Sequence, residues 1–148
     1  MRQLHFPGYR FRTKSIENST HIFDPIRKKF FLLQPEEWVR QHVLQFLIQT
    51  HHYPVSLIAV EKHIRVAQTD KRFDVVVYKP DGSIFLLIEC KAPEVPITQE
   101  VFDQAARYNL SAQADWLMLT NGLTHVYYSI DYVTKKCKFV PEIPAFSP

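Results

Sequence analysis

The sequence predicts an α/β fold in which a mixed central β-sheet is flanked by helices. Three observations support this prediction. A helix-spaced apolar stripe follows Pro35, three strand-like runs lie between residues 56 and 91, and a second helical segment over residues 98–113 leads to another apolar strand. Parallel neighbouring strands need a crossover connection, and the second helix can provide one. The predicted order of the core is therefore αβββαβ.

Chain length and composition indicate a single domain. The chain has 148 residues, of which 46% are hydrophobic, and a formal net charge of +3. This length suffices for one core but is too short for two domains. We assign residues 1–33 to an N-terminal β-hairpin extension, 34–130 to the core, and 131–148 to a C-terminal strand and tail. The mildly basic charge is compatible with a polyanionic partner.

Cysteine content and hydropathy predict a cytoplasmic protein without a membrane partner. The two cysteines, Cys90 and Cys137, are too few for a disulfide framework and suit a reducing compartment. The first residues contain no apolar segment typical of a signal peptide. The longest apolar run, SIFLLIEC, is too short to span a bilayer.

The N-terminal segment predicts a small layer of short strands. Polar and apolar residues alternate in the runs YRFRTKS, THIFDP and KKFFLL. Residues 9–12 and 26–30 also interleave aromatic side chains with cations, a composition that suits phosphate contact with stacking. A solvated strand face is the more frequent reason for such a pattern, so both explanations stay open at this point.

The segment QPEEWVRQHVLQFLIQTHHYP predicts the first helix. Pro35 suits the first helical position, and Glu36 and Glu37 suit the positive end of the helix dipole. The apolar stripe consists of Val39, Val43, Phe46 and Leu47. On a helical wheel, Glu36 falls on this stripe and Glu37 lies toward its edge. We therefore expect Glu36 to be the buried glutamate.

A strand over SLIAVEKHIRV precedes a predicted β-hairpin, RFDVVVYKPDGSIFLLIECK, which spans residues 72–91. The tripeptide Pro-Asp-Gly at its centre is a strong turn signal. We expect Asp81 and Gly82 to form a two-residue loop. In that register Lys79 pairs with Ile84, and every pair further along the hairpin follows from this one.

The predicted register places two carboxylates side by side, because Asp74 then lies opposite Glu89. Like charges that face each other across a sheet destabilise it. Strand alternation turns Lys91 to the face of Glu89, and it turns Cys90 to the other face as a core cysteine. A divalent cation between the acids would remove the repulsion, and Mg²⁺ prefers such oxygen ligands. The alternative is a salt-bridged arrangement in which Arg72 and Lys91 neutralise both acids.

The second helix is predicted over residues 98–113, with Thr98 as its N-cap. ADWLMLTNG then predicts a buried strand that ends in an Asn-Gly turn. THVYYSID and KCKFV predict further strands. Gln104 and Tyr108 lie four residues apart on the helix and therefore share one of its faces.

These motifs resemble the PD-(D/E)XK nuclease superfamily. The matching elements are Glu61, RFD with Asp74, ECK with Glu89 and Lys91, and QAARY with Gln104 and Tyr108. The pattern is especially similar to the N-terminal nuclease domain of type I restriction enzyme R subunits, and to RecB-like nucleases with a Q-x-x-x-Y helix. The resemblance covers residues 30–130 and implies a restriction-endonuclease-like fold. The D…ExK element alone is a loose motif, and the Q-x-x-x-Y helix makes the combination more specific. Phe73 departs from the proline in the superfamily name.

The resemblance implies a role for each matching position. The metal ligands would be Asp74, Glu89, the backbone carbonyl of Cys90 and a first-helix glutamate, for which we choose Glu36. Lys91 would be the catalytic lysine that holds or polarises the attacking water. Gln104 and Tyr108 would line the site beside the DNA backbone. Further candidate phosphate contacts are Lys62, Lys71 and Arg72, whereas Glu61 is more often an exposed or paired strand residue.

The function implied by the resemblance is Mg²⁺-dependent phosphodiester cleavage of DNA, with Mn²⁺ as a substitute metal and endonuclease action favoured. A helicase motor does not fit in 148 residues, so a separate translocase or restriction-system subunit is expected as a partner, and a homodimer stays open. The alternative is a catalytically inactive nuclease-fold module that binds DNA or docks a protein, and such a module would bind DNA without metal. RNA and single-stranded DNA stay open as substrates.

Overall fold

The computed structural model describes residues 1–66 and 69–148, and in this part of the chain it contains two β-sheets and two α-helices. The smaller, N-terminal sheet is antiparallel and has the order β1-β2-β3. Its strands are β1 (Thr13–Ile16), β2 (Ser19–Asp24) and β3 (Lys29–Leu32). The predicted N-terminal layer of short strands is therefore confirmed.

The larger sheet follows chain order from β4 to β9. Its described strands are β4 (Ile58–Val66), β5 (Thr69–Tyr78), β6 (Ile84–Cys90), β7 (Trp116–Thr120), β8 (His125–Ile130) and β9 (Cys137–Val140). β6 and β7 are parallel, and the other neighbouring pairs in the sheet are antiparallel. The mixed sheet and the predicted α/β class are confirmed.

The two helices cover opposite faces of this sheet. Helix α1 (Pro35–Gln45) continues into a π-helical segment, Phe46–Thr50, and α2 (Gln99–Asn109) connects β6 to β7. The α1 cluster contains Val39, Val43, Val75, Val77 and Ile88. The α2 cluster contains Phe102, Ala105, Val76, Leu87 and Leu117. Because strand residues of alternating parity belong to different clusters, β5 and β6 are buried on both sides over this stretch.

Both helices begin where the sequence predicts, but α2 ends earlier than predicted. Pro35 occupies the start of α1. The hydroxyl of Thr98 accepts a hydrogen bond from the backbone N–H of Val101 at 3.2 Å, as its N-cap role requires. Helix α2 ends at Asn109 rather than at residue 113. Gln113 has a φ angle of 53°, a left-handed conformation that does not continue an α-helix.

The hairpin turn is one residue longer than predicted. The backbone N–H of Lys79 donates to the carbonyl of Ser83 at 2.8 Å, and that of Gly82 donates to the carbonyl of Lys79 at 2.9 Å. Lys79 therefore faces Ser83, and the predicted pairing of Lys79 with Ile84 is wrong. Gly82, with a φ of 90°, takes the left-handed position in this three-residue loop.

An irregularity between Val77 and Tyr78 then restores the predicted register. Tyr78 pairs with Ile84, but Val77 pairs with Leu86. The shift inserts one residue into β6, as a β-bulge does. Beyond it the pairs continue as predicted to Val75 and Ile88. The pairing of β5 with β6 ends at Val75 and Ile88, and the predicted pair of Asp74 with Glu89 is not part of it.

Within the described residues, the structure contains no helix whose length and apolar character would allow it to cross a membrane.

Candidate functional site

A pocket of about 190 Å³ lies between the end of β6 and one face of α2. Five of the predicted site residues line it together, namely Lys71, Glu89, Lys91, Gln104 and Tyr108. The pocket wall is completed by Val95, Val101 and Ala105. Residues from two strands, a loop and a helix thus converge on one concave surface. They include residues of both the ECK motif and the Q-x-x-x-Y motif.

Strand alternation explains how Glu89 and Lys91 reach this pocket. Leu87 packs in the α2 cluster and Cys90 in the α1 cluster. Glu89, two residues after Leu87, therefore faces α2. Cys90 is confirmed as a core cysteine, and burial raises the pKa of its thiol well above the usual value. Gln104 and Tyr108 present one helix face to the same space.

Lys71 links the acid of the pocket to its aromatic side chain. The Lys71 Nζ atom lies 3.4 Å from Glu89 Oε1 and 4.6 Å from the centroid of the Tyr108 ring. The Tyr108 side is open to solvent, since this residue is 52% exposed. The ammonium group is thus held by a carboxylate on one side and by a cation–π contact on the other.

Glu89 has an unsatisfied oxygen. Glu89 is 8% exposed, and its Oε1 atom accepts no hydrogen bond from the residues that the structure describes. The contact with Lys71 is a charge contact without hydrogen-bond geometry. A buried carboxylate oxygen in this state costs free energy unless a cation or water binds it.

Asp74 is held by other partners. Its Oδ1 atom accepts a hydrogen bond from Arg40 Nη2 at 2.8 Å, and its Oδ2 atom accepts one from the backbone N–H of Cys90 at 2.9 Å. Each of the two acids therefore has its own cation, Arg40 for Asp74 and Lys71 for Glu89. The neutralising cations are not the predicted Arg72 and Lys91, and repulsion between the acids does not by itself require a metal ion.

Arg40 is the centre of a cluster of carboxylates. This side chain is 5% exposed, and its guanidinium lies 2.9 Å from Glu37, 3.0 Å from Glu36 and 3.6 Å from Glu61, in addition to Asp74. Burial alone would lower the pKa of Arg40, but the hydrogen bond to Asp74 and the charge of Glu37 raise it above the ordinary value.

Arg27 joins the N-terminal sheet to the same cluster. It contacts Asp24 at 2.9 Å, Glu37 at 3.0 Å and Glu61 at 3.2 Å. Gln41 donates to Asp24 and to Glu37 at 2.9 and 3.1 Å. The connection between β2 and β3 is thus attached to α1 and β4 through charged side chains, and Glu61 is a paired strand residue as expected.

The glutamate expected to be buried is not the one that the structure buries. Glu37 is 8% exposed, whereas the Glu36 side chain is 47% exposed. The helical wheel failed because Glu37 is neutralised by Arg27 and Arg40, which allows a charged residue to face the interior. Glu36 nevertheless stays in the Arg40 cluster, at 3.0 Å from the guanidinium, and burial and the charge of Asp74 both raise its pKa.

The remaining predicted phosphate contacts lie at the surface. The Arg72 side chain is 58% exposed, and its Nη1 atom lies 3.9 Å from Glu61 Oε1. Lys62 is exposed and pairs with Phe73 across β4 and β5. Both cations are therefore available to a ligand that approaches this edge of the sheet.

The ends of β5 and β6 offer oxygen donors of the type that a hard divalent cation prefers. In the described part of the chain, no group of three or more His, Cys, Asp and Glu side chains is arranged as a metal site. The available donors are instead two carboxylates and a backbone carbonyl. Asp74 keeps a second lone pair on each oxygen, and Glu89 keeps its unsatisfied oxygen. Mg²⁺ commonly binds through one or two carboxylates and completes its shell with water and phosphate oxygens.

The sequence interpretation missed Asp24, Arg27, Arg40 and Gln41. A signal for part of this set was present, because Glu36 and Arg40 have the i, i+4 spacing of a helical ion pair. No comparable signal links Arg27 to Glu61, which lies 34 residues further along the chain.

Comparison with known proteins identifies the family. No curated protein sequence matches the chain at a significant level. Among solved structures, a protein of family DUF820 from Anabaena variabilis ATCC 29413, described there as a candidate nuclease, matches with a TM-score of 0.48 and 14% identity. That match covers 92% of this chain and 80% of the other. The family model described as "Type I restriction enzyme R protein N terminus (HSDR_N)" matches residues 35–144, more than half of the chain. The chain therefore belongs to the family of type I restriction enzyme R protein N termini.

Proposed function

We propose that this protein is a Mg²⁺-dependent phosphodiesterase that cleaves DNA. The observation that carries the proposal is the convergence of Glu89, Lys91, Gln104 and Tyr108 on one pocket. These residues come from separate parts of the chain and belong to two separate motifs. Membership of the restriction-enzyme family supports a nuclease-type function.

In this proposal Asp74, Glu89 and the carbonyl of Cys90 would hold the cation, with Glu36 as a further ligand. When bound, the cation supplies charge neutralisation at the phosphate and a water of lowered pKa. Mn²⁺ can replace Mg²⁺ because both accept carboxylate and water ligands.

The other pocket residues act on the substrate directly. Lys91 holds the attacking water by donating a hydrogen bond to it. Gln104 and Tyr108 donate to non-bridging phosphate oxygens and hold the scissile phosphate in position. Lys71 moves from Glu89 to the phosphate as the substrate enters, while Lys62 and Arg72 contact neighbouring phosphates. The reaction takes place on the backbone, so it needs no base-specific contact.

A DNA-binding module without activity is the second candidate, and one observation favours it. Arg40 already neutralises Asp74 at 2.8 Å, which leaves less negative charge for a metal ion. In this case the protein binds DNA without metal and a partner subunit supplies cleavage. Both candidate functions are compatible with a cytoplasmic location and with a homodimer. For both we also propose a separate translocase or restriction-system subunit as a partner.

The proposed function is tested by plasmid nicking. We expect supercoiled DNA to be nicked in Mg²⁺ or Mn²⁺ and to stay intact in EDTA. Substitution Lys91→Ala should lower the nicking rate at least about 100-fold, since one positioned donor typically contributes that much. The matched control is Lys138→Ala, which removes an exposed lysine of β9. Equal rates for the two variants would contradict the role of Lys91, and absence of wild-type nicking with DNA binding retained would favour the binding module.

A further inference from the structure

The outer face of the N-terminal sheet carries cations above aromatic rings. The guanidinium carbon of Arg12 lies 4.7 Å from the ring centroid of Phe23 and 5.2 Å from that of Phe30. The Lys14 Nζ atom lies 4.1 Å from the Phe30 centroid. The two rings contact each other edge to face at 5.2 Å. These contacts hold both cations above the sheet surface.

Strand pairing separates this face from the buried one. Lys14 pairs with His21, and Phe23 pairs with Phe30, so these residues share a side of the sheet. The opposite side contains Ile22 and Asp24, which are fully buried. The face with Arg12 and Lys14 therefore points outward, and both of these residues are exposed.

The charge of the chain is concentrated in this sheet. Residues 10–32 contain six Lys and Arg against two acids, a net charge of +4, whereas the whole chain has +3. The rest of the chain therefore has a net charge of −1. Of the two acids, Asp24 is buried against Arg27. The exposed cations of the segment are Arg10, Arg12, Lys14, Lys28 and Lys29.

This asymmetry matters for a polyanionic substrate. The carboxylates around Arg40 and Arg27 offset part of the positive charge that Lys71 and Lys91 bring to the pocket. A second basic surface adds attraction for a polyanion over a distance of about a Debye length, ~8–10 Å at physiological salt. Arg27 also attaches the N-terminal sheet to α1 and β4. A nucleic acid bound on this face therefore keeps a constant position relative to the pocket.

We propose that the outer face of the N-terminal sheet, centred on Arg12 and Lys14, binds the phosphate backbone of duplex DNA. The choice of DNA as the polyanion rests on the proposed function. Contact is with phosphates rather than with stacked bases, because the cations cover the faces of Phe23 and Phe30 that a base would occupy. The surface precedes residue 35, where the match to the family begins.

The experiment measures binding of a fluorescein-labelled 20-base-pair duplex by anisotropy, in EDTA, across a series of salt concentrations. The double variant Arg12→Gln/Lys14→Gln should bind more weakly, and its plot of log affinity against log salt should lose about 1.8 units of slope, or about 0.9 per phosphate contact. The control double variant Lys135→Gln/Lys136→Gln changes two exposed lysines and should keep the wild-type slope. Equal thermal midpoints establish that all three proteins are folded.

Three results would overturn the inference. The first is an unchanged slope in the Arg12→Gln/Lys14→Gln variant, and the second is the same loss in the control. The third is binding of phosphatidylserine vesicles that depends on Arg12 and Lys14 while DNA binding does not, which would assign the face to a membrane. Because the binding assay contains no metal, plasmid nicking by the same proteins is an independent readout. Nicking with an unchanged slope would reject this surface and leave the proposed function intact.

Discussion

Replacement of Arg40 by Met is expected to lower the free energy of unfolding by about 3–5 kcal/mol, the usual cost of removing one partner from a buried charge cluster. The substitution keeps much of the side-chain volume, so the loss is electrostatic in origin. Four carboxylates, those of Glu36, Glu37, Glu61 and Asp74, lie within 3.6 Å of the Arg40 guanidinium. Without it, Arg27, whose side chain is 15% exposed, is left as a partner for two of these acids, Glu37 and Glu61. Urea denaturation at pH 7 measures the change.

The control for this prediction is Arg65→Met. Arg65 also pairs with an acid, Asp70 at 3.9 Å, but its side chain is 68% exposed, and pairs of this kind contribute little. We expect the Arg40 deficit to shrink as the pH is lowered, because the carboxyl of Glu36, whose pKa is raised by burial and by the charge of Asp74, then loses its charge and its share of the repulsion. An Arg40→Met protein as stable as the Arg65→Met protein would show that the cluster is solvated and that the cation is dispensable.

Substitution Asp74→Asn is expected to abolish metal-dependent nicking, with a loss of at least about 100-fold. Asparagine keeps an oxygen that can accept the hydrogen bond from the Cys90 backbone N–H, which is 2.9 Å away in the wild type. It removes the negative charge that a divalent cation requires and that Arg40 neutralises. The rate is measured by plasmid nicking at saturating Mn²⁺, and structural integrity by the thermal midpoint.

The matched control is Asp70→Asn, on the same strand. Asp70 is four residues earlier on β5, and its side chain is 63% exposed, so its loss should leave nicking unchanged. If the two variants nick DNA at equal rates, Asp74 is not a metal ligand. If Asp70→Asn alone loses activity, the acid required for nicking is Asp70 and not Asp74.

The β-hairpin illustrates which parts of the fold could be predicted from the sequence. Two runs rich in β-branched and aromatic residues and a Pro-Asp-Gly turn were sufficient to locate both strands. They were insufficient for the turn itself, because Gly82 can form a two-residue or a three-residue loop with the same letters. The bulge between Val77 and Tyr78 compensates for the extra residue. Burial of Val75, Val77 and Ile88 against α1 explains the compensation, since a one-residue slip would turn those side chains to the other face.

In the candidate site, too, some residues could be predicted from the sequence and others could not. Glu89, Lys91, Gln104 and Tyr108 could be predicted because strand alternation and helical spacing are local properties, and these residues do line one pocket. The partners of Asp74 could not be predicted. Arg40 reaches it from another element, and which cation neutralises a buried acid depends on packing between elements that are distant in sequence. The burial of Glu37 instead of the predicted Glu36 has the same cause, because its partner Arg27 belongs to the connection between β2 and β3.

If Glu89 completes a divalent cation site, the protein binds metal in the absence of DNA. Isothermal titration calorimetry of Mn²⁺ and Mg²⁺ should show saturable binding by the wild-type protein and none by Glu89→Gln. Gln keeps the size of the side chain, so a thermal midpoint close to that of the wild type is expected and is checked in parallel. Heat of binding and plasmid nicking should disappear together in Glu89→Gln. Unchanged metal binding by this variant, or no metal binding by the wild type, would contradict this role of Glu89.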